Sequence, residues 1–427
     1  MKEKAKILTV FLTIVLITSL SLNLFLFHSA FSKEKKLSSQ ESIYKYLKLF
    51  SQVLSLVENE YVQPVSAKKL IYGAINGMLR TLDPYSCLMT PDEYKELEIE
   101  TKGSFTGIGI EITIQDDILT VVAPIEDTPA WRAGIKPGDK ILKIDGKPTK
   151  GMSLMEAVKL LRGPKGTKVT LTILRNDKTI KVITLTRDVI PIRSVKYKFV
   201  APHYAYVRIT SFQENTPKEL EKALNKLERK EKVKGLILDL RYNPGGLLSS
   251  AIKVADEFLN KGIIVSVKGR TKDSQMVFKA HPNPPGEAHH YPIVVIINRG
   301  TASAAEILTG ALKDNRRAVV IGQRSFGKGR VQSVIPLGDG YAVKLTTAFY
   351  YTPNGKCIDK IGIQPDIQVP DVDLAKIKAI NSGTSLENKK KMPLNPFKLW
   401  SDPKRDLQVK MALSILKHID AFAKLRY

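Results

Sequence analysis

Cysteine and histidine are scarce in these 427 residues, with two of the first and six of the second. Spacing alone does not argue a disulfide between Cys87 and Cys357. No Cys/His cluster has metal-ligand spacing, and His281, His289 and His290 flank a proline-rich loop, HPNPPGEAHH, too loose for a rigid metal site. No metal and no other cofactor is expected. A G-x-S-x-G segment is absent, and no histidine sits in a turn that would present it to a serine. A Ser-His-Asp arrangement is therefore disfavoured. Acidic residues are also short: 42 against 67 Lys and Arg, a formal net charge of +25. The basic surplus runs along the whole chain, without an arginine-rich block or interleaved aromatics. That speaks against nucleic acid and leaves weak attraction to anionic lipid headgroups.

What is present points to a folded chain of several domains. The length exceeds one ordinary core, and 43% hydrophobic against 26% charged residues is a globular balance. Three lysines against one glutamate in Met1–Lys6 precede 21 uncharged residues, Ile7–Phe27. That run is long enough to span a bilayer as a helix, and its basic flank favours a cytoplasmic N-terminus with the body outside the cytoplasm. A cleaved signal peptide with a secreted body is the competing reading, although no clean A-x-A site follows.

Next comes a helical arm. Ile43, Leu47, Phe50, Leu54, Val57 and Tyr61 recur at spacings of three and four, and a second helix covers Ala67–Leu82 before Asp83-Pro84. Its apolar seam either packs on the chain's own body or pairs with a second copy, a homodimer through the arm. The tail helix expected near Lys404–Leu425, with Ala412, Ile415, Leu416, Ile419 and Phe422 on one face, leaves the same choice open. Residues 381–391 read as a solvated linker.

From Lys102 the texture changes to short strands and glycine turns. Gly107-Ile108-Gly109-Ile110 opens a strand, and its bare N–H groups suit a peptide's terminal carboxylate while a ligand strand pairs with the sheet edge. Arg162, at the end of the helix Leu154–Leu161, is a candidate sensor of that carboxylate or a solvated surface arginine. The segments FTGIGIEI, PAWRAGIKPGDKILKIDGKP and SLMEAVKLLRGPKG resemble a bacterial, circularly permuted PDZ domain.

Beyond Arg187, apolar strands alternate with helices, an α/β pattern. The buried strand Gly235–Leu240 ends in DLRYNPGG, and the strand Pro292–Ile297 turns at Ser303 into the helix Ala302–Asn315. Lys328 stands 25 residues later in Phe326-Gly327-Lys328-Gly329, with Gln332 four residues on. A serine at a strand–helix turn and a lysine on glycine-rich backbone suggest a Ser–Lys nucleophile pair. Gly245 or Gly246 would give one oxyanion donor and the amide of Ala304 the other.

The order DLRYNPGG, INRGTASAAEI, GQRSFGKGRVQ, preceded by the PDZ unit and by AINGMLRTLDPYS, resembles the carboxyl-terminal processing (tail-specific) serine proteases over Leu47–Val369. The resemblance implies Ser303 as nucleophile, Lys328 as general base and Gln332 as its support, on a crotonase/Clp-protease-like α/β core. It implies polypeptide substrates with apolar carboxyl termini. The expected organisation is multi-domain α+β and α/β: a cytoplasmic stub and membrane helix over 1–32, the arm over 33–98, a PDZ β-domain over 99–188, a peptidase core over 189–372, and a linker and helical tail over 373–427. The rival to an enzyme is a catalytically silent, membrane-tethered peptide-binding scaffold.

Overall fold

The computed structural model describes Thr18 and residues 43–115, 117–125, 127–271, 274–282, 289–370 and 401–418. Apart from Thr18, the expected membrane span lies outside these residues, as do the linker and the tail positions Ile419 and Phe422. No helix among the described residues is long and apolar enough to cross a membrane. The chain divides into two compact bodies, residues 1–88 and 89–427.

In the first body, α1 covers 43–60 and α2 covers Ala67–Arg80. Ser66 caps α2 by accepting the Lys69 N–H at 3.3 Å. Beyond it, Asp83 accepts the N–H groups of Tyr85 and Ser86, a local turn that stops the helix before Pro84 can disrupt it. On α1, Ile43, Leu47 and Phe50 are exposed, together with Tyr46, Val53 and Leu56. The short strand β1 is Cys87–Met89. Both cysteines are free thiols.

The second body opens with a helix that the sequence pattern does not announce, α3 (Pro91–Lys102). It has no apolar stripe and buries no residue; its ends make it. Thr90 and Glu93 form a capping box, proline occupies the first turn, and Gly103 closes it at φ 68°.

The PDZ-like unit then runs β2 (Ser104–Gly107), β3 (Ile110–Gln115), β4 (Ile118–Pro124), α4 (Pro129–Arg132), β5 (Lys140–Ile144), β6 (Lys147–Pro148), α5 (Leu154–Leu161), β7 (Lys168–Arg175), β8 (Thr179–Thr186) and β9 (Asp188–Pro191). The antiparallel sheet has the order β3-β4-β5-β7-β8, with β6 beside β5 and a separate β2–β9 pair. Alternation sends Val169, Leu171 and Ile173 inward against Ile141, Ile144 and Leu161. Asp145-Gly146, both at positive φ, form the tight β5–β6 turn.

The larger unit contains β10 (Val195–Ala201), β11 (Tyr204–Ile209), α6 (Thr216–Lys230), β12 (Gly235–Asp239), α7 (Leu248–Asp256), β13 (Ile263–Gly269), β14 (Gln275–Lys279), β15 (Ile293–Ile297), α8 (Ala304–Asp314), β16 (Ala318–Gly322), β17 (Arg330–Pro336), β18 (Ala342–Tyr351), β19 (Ile367–Gln368) and α9 (Leu407–Lys417). Its main sheet has the order β10-β11-β12-β15-β16-β19, parallel except for the edge strand β10. GLILD and IVVII are buried throughout, as strands covered on both faces must be. Leu236, Leu238 and Val295 face the helices through Leu220, Val254 and Leu308. Tyr206, Ile237 and Ile296 face the other way, onto Val409, Ala412, Ile415 and Leu416 of α9. The choice left open for the tail is thus decided for its described part: α9 packs on its own core. A second sheet is built on β18, which pairs with β17 and β13, with β14 beyond β13.

Candidate active site

β12 and β15 are parallel neighbours, so their carboxyl ends deliver two loops side by side, residues 240–246 and 298–303. Such carboxyl ends are where parallel sheets place ligands. Three bonds lace the loops together. Thr301 Oγ1 donates to the Leu240 carbonyl, Tyr242 N–H to Asn298 Oδ1, and Ala302 N–H to the Asn243 carbonyl, at 2.9, 3.0 and 2.9 Å. At the tip Ser303 has φ 56° and ψ −120°. That backbone costs a non-glycine residue roughly 1–3 kcal/mol and persists only because the surroundings impose it. The half-buried Ser303 Oγ accepts the Tyr350 hydroxyl at 2.9 Å.

One carboxylate organises the surroundings. Glu306, wholly buried on α8, accepts the Ser303 N–H at 2.8 Å and the Lys328 N–H at 2.9 Å on the same oxygen, Oε2. Two bonds to one atom hold those backbone nitrogens within about 6 Å of each other. Its Oε1 accepts from Ser325 Oγ and from the Gly327 N–H. Burial pushes the Glu306 carboxyl above the usual carboxylate range, and these donors oppose the rise. The 25-residue gap in sequence is closed by this side chain.

Lys328 is half-buried. Burial holds its amine below the ordinary lysine range and the Lys344 charge adds to the effect, against a smaller opposing pull from Glu306. Gln332 lies four residues on in β17, beside a bulge and paired in register with Thr346 of β18. β18 also returns to the site, since the Tyr350 N–H donates to the Gly329 carbonyl at 2.9 Å.

The two glycines of DLRYNPGG divide their work. At Gly245 (φ 102°) a Cβ would come 2.7 Å from Ser303 Cβ and 2.9 Å from Ala304 N, so only glycine fits. Its N–H already donates to Asn243 Oδ1 at 2.9 Å. No described residue accepts the N–H of Gly246, nor that of Ala304, the first of α8. Beneath the loop, Asp239 is fully buried and receives Tyr206 Oη, Arg208 and a fork of bonds from Arg241. Burial alone would raise the Asp239 carboxyl, but Arg241 and Arg208 outweigh it and hold it below the ordinary range.

In the PDZ-like unit, Gly109 has φ 78° and a Cβ there would strike Thr128 at 2.4 Å. Ile108 is core, Gly107 ends β2 and Ile110 begins β3. Arg162 already holds a carboxylate: Nη1 and Nη2 meet Glu96 at 2.6 and 3.2 Å, and the guanidinium lies over the Phe105 ring. Among the described residues no Cys/His/Asp/Glu group is disposed to hold a metal. His289 instead lies between Glu228 and Glu257 at 2.6 and 3.0 Å.

Glu306, Tyr350, Asn243 and Lys344 are the site residues that sequence reasoning missed. Glu306 had a signal, a charge three residues after a serine at the start of the apolar helix AAEILTGAL. Nothing in the sequence sets Tyr350 apart from the neighbouring aromatics on β18.

The profile of peptidase family S41 matches residues 203–369, that of the PDZ domain residues 120–175, and that of the activating protease CtpB N-terminal domain residues 24–93. The carboxy-terminal-processing protease of Bartonella bacilliformis is 44% identical over 395 residues, covering 89% of this chain and 90% of that protein. The carboxy-terminal processing protease CtpA of Bacillus subtilis is 38% identical over 403 residues, covering 92% and 85%. Among solved structures, the photosystem II D1 C-terminal processing protease is 34% identical, covering 75% of this chain and 92% of that one, with a TM-score of 0.43. The chain therefore belongs to peptidase family S41, the carboxy-terminal-processing serine proteases, and carries that family's PDZ domain.

Proposed function

We propose that this chain is a membrane-anchored serine endopeptidase that recognises and cleaves carboxyl-terminal regions of polypeptides outside the cytoplasm by a Ser–Lys mechanism. The observation that carries the mechanism is the shared Glu306 oxygen, which brings the Ser303 and Lys328 backbones together. Ser303 Oγ attacks the scissile carbonyl as Lys328, neutral in its buried setting, takes the proton. Gln332 accepts a hydrogen from the amine and orients it without adding a charge. The N–H groups of Gly246 and Ala304 receive the developing oxyanion. Lys328 passes the proton to the leaving amine, and water then hydrolyses the acyl-enzyme on Ser303. The Gly107–Ile110 loop receives the substrate's carboxylate in the PDZ domain, and Arg162 joins it by exchanging its bonds to Glu96 for the substrate.

Cleavage of a peptide with an apolar carboxyl terminus tests this. The wild type is expected to cleave the free acid faster than its amide and to be labelled by a fluorophosphonate at Ser303. Ser303→Ala and Lys328→Ala should each lose at least about a thousandfold in kcat. Wild-type turnover by Lys328→Ala would sink the mechanism, and no turnover by any form would favour the peptide-binding scaffold.

Anchoring rests on the uncharged run Ile7–Phe27 behind its basic flank. The full chain should stay with membranes through alkaline extraction and be digested by protease added outside; release into the supernatant would refute the anchor. The exposed Ile43, Leu47 and Phe50 of α1 further support pairing of the arm with a second copy.

A further inference from the structure

Tyr350 lies at the site without a role in the reaction so far. It is 4% exposed, and its strand is fixed on both sides: Tyr350 pairs with Val267 of β13, and the preceding Phe349 with Arg330 of β17. Its N–H holds the carbonyl of Gly329, the residue after Lys328, while its hydroxyl donates to Ser303 Oγ at 2.9 Å. The phenol thus reaches the reacting atom from a strand clamped to the lysine's own turn.

We propose that Tyr350 is a further catalytic residue, its phenol donating to Ser303 Oγ through both halves of peptide-bond hydrolysis; this rests on the reading of Ser303 as nucleophile. A serine hydroxyl has one proton and two lone pairs. Donation from Tyr350 occupies one lone pair, leaving the other for the carbonyl carbon and the serine's own proton for Lys328. During acylation that proton passes to Lys328 Nζ, the Oγ–C bond forms, and the C–N bond breaks as the proton moves to the leaving amine. Negative charge grows on Oγ as the proton leaves, and the bond from the phenol strengthens with it. In deacylation the attacking water gives a proton to Lys328 as its oxygen bonds the acyl carbon, the C–Oγ bond breaks to release the carboxyl product, and Oγ is reprotonated by that lysine. Oγ again carries charge as it departs, and the same donor meets it. Tyr350 keeps its proton throughout.

Tyr350→Phe in the full chain removes the donor and keeps the ring. The expected result is a fall in kcat of about 10- to 100-fold with KM little changed, the same factor in the rate of fluorophosphonate labelling, and an acid limb of the pH profile at its wild-type position. A kcat within twofold of wild type would overturn the proposal, as would an acid limb that moves with the loss, because Tyr350 would then act on Lys328. Should Tyr350→Phe melt early, site-specific replacement of Tyr350 by 3-fluorotyrosine keeps shape and sharpens the donor. The labelling rate should then change from wild type at a pH where the fluorophenol is still protonated, and an unchanged rate would count against the proposal. Ser303→Ala with wild-type turnover would remove the nucleophile reading and this proposal together. An inactive Ser303→Ala beside a fully active Tyr350→Phe would remove this proposal alone.

Discussion

In the proposed mechanism Lys328 has to be neutral to accept a proton, and an ordinary lysine at pH 7 is not. Burial depresses its pKa first and the cation of Lys344 second, while Glu306 pulls the other way. The sign of a test follows. Lys344→Ala removes a repelling positive charge, so Lys328 holds its proton to higher pH. The rising limb of kcat/KM should move to higher pH, with severalfold lower activity at neutral pH that recovers in alkali. Lys344→Arg keeps the charge and should leave the limb in place. A limb that stays put in Lys344→Ala, measured across the pH range on one peptide, would mean that burial alone tunes the lysine. Glu306 explains why its charge does not undo the effect: its oxygens are committed to four donors, three of them on the loop that carries Lys328.

Whole elements carry different information. α1 leaves Ile43, Leu47, Phe50 and Leu56 in solvent, more apolar surface than a solitary helix keeps without a partner. On the proposed pairing of the arm with a second copy, Leu47→Glu with Phe50→Glu should convert a sedimenting dimer to a monomer with catalysis per active site within about twofold, since charges facing each other across a seam cost several kcal/mol. Unchanged sedimentation would assign the arm's surface elsewhere. The elements read correctly from sequence are those whose periodicity is set by burial: α5 at Leu154–Leu161, and β12 and β15 as apolar runs. Those missed owe their form to something else. α3 is defined by its caps rather than an apolar face. β17 buries no residue and leaves its outer half exposed, while β18, its hairpin partner, buries only Ala342, Ala348 and Tyr350 in ten residues, too few to mark a strand by an apolar run. The site followed the same division. Ser303, Lys328 and the glycines announce themselves through turn chemistry, whereas Glu306 and Tyr350 matter only through contacts made across the fold.

On the scale of the molecule, the tail is part of the catalytic scaffold's support. α9 buries Val409, Ala412, Ile415 and Leu416 on the face of the main sheet opposite α8, each larger side chain contributing roughly 1.5–3 kcal/mol. It also completes the charge network under the glycine loop. Arg241 Nη1 meets Asp406 at 2.7 Å and Gln408 at 3.0 Å, while the rest of its guanidinium holds Asp239. Arg241 is 2% exposed, so a lost partner leaves a buried charge that water does not reach. Asp406→Ala should therefore cost about 3–5 kcal/mol of stability, several times the effect of trimming an exposed ion pair such as Lys159–Asp92. Because Arg241 belongs to the segment that leads into Gly245 and Gly246, kcat should fall well below the melting transition, with KM for the peptide changing less. Asp406→Asn, which keeps an acceptor for the guanidinium, should lose less on both measures. Full activity in a folded Asp406→Ala, read at a temperature where circular dichroism shows it native, would mean that the tail stabilises the sheet without shaping the glycine loop.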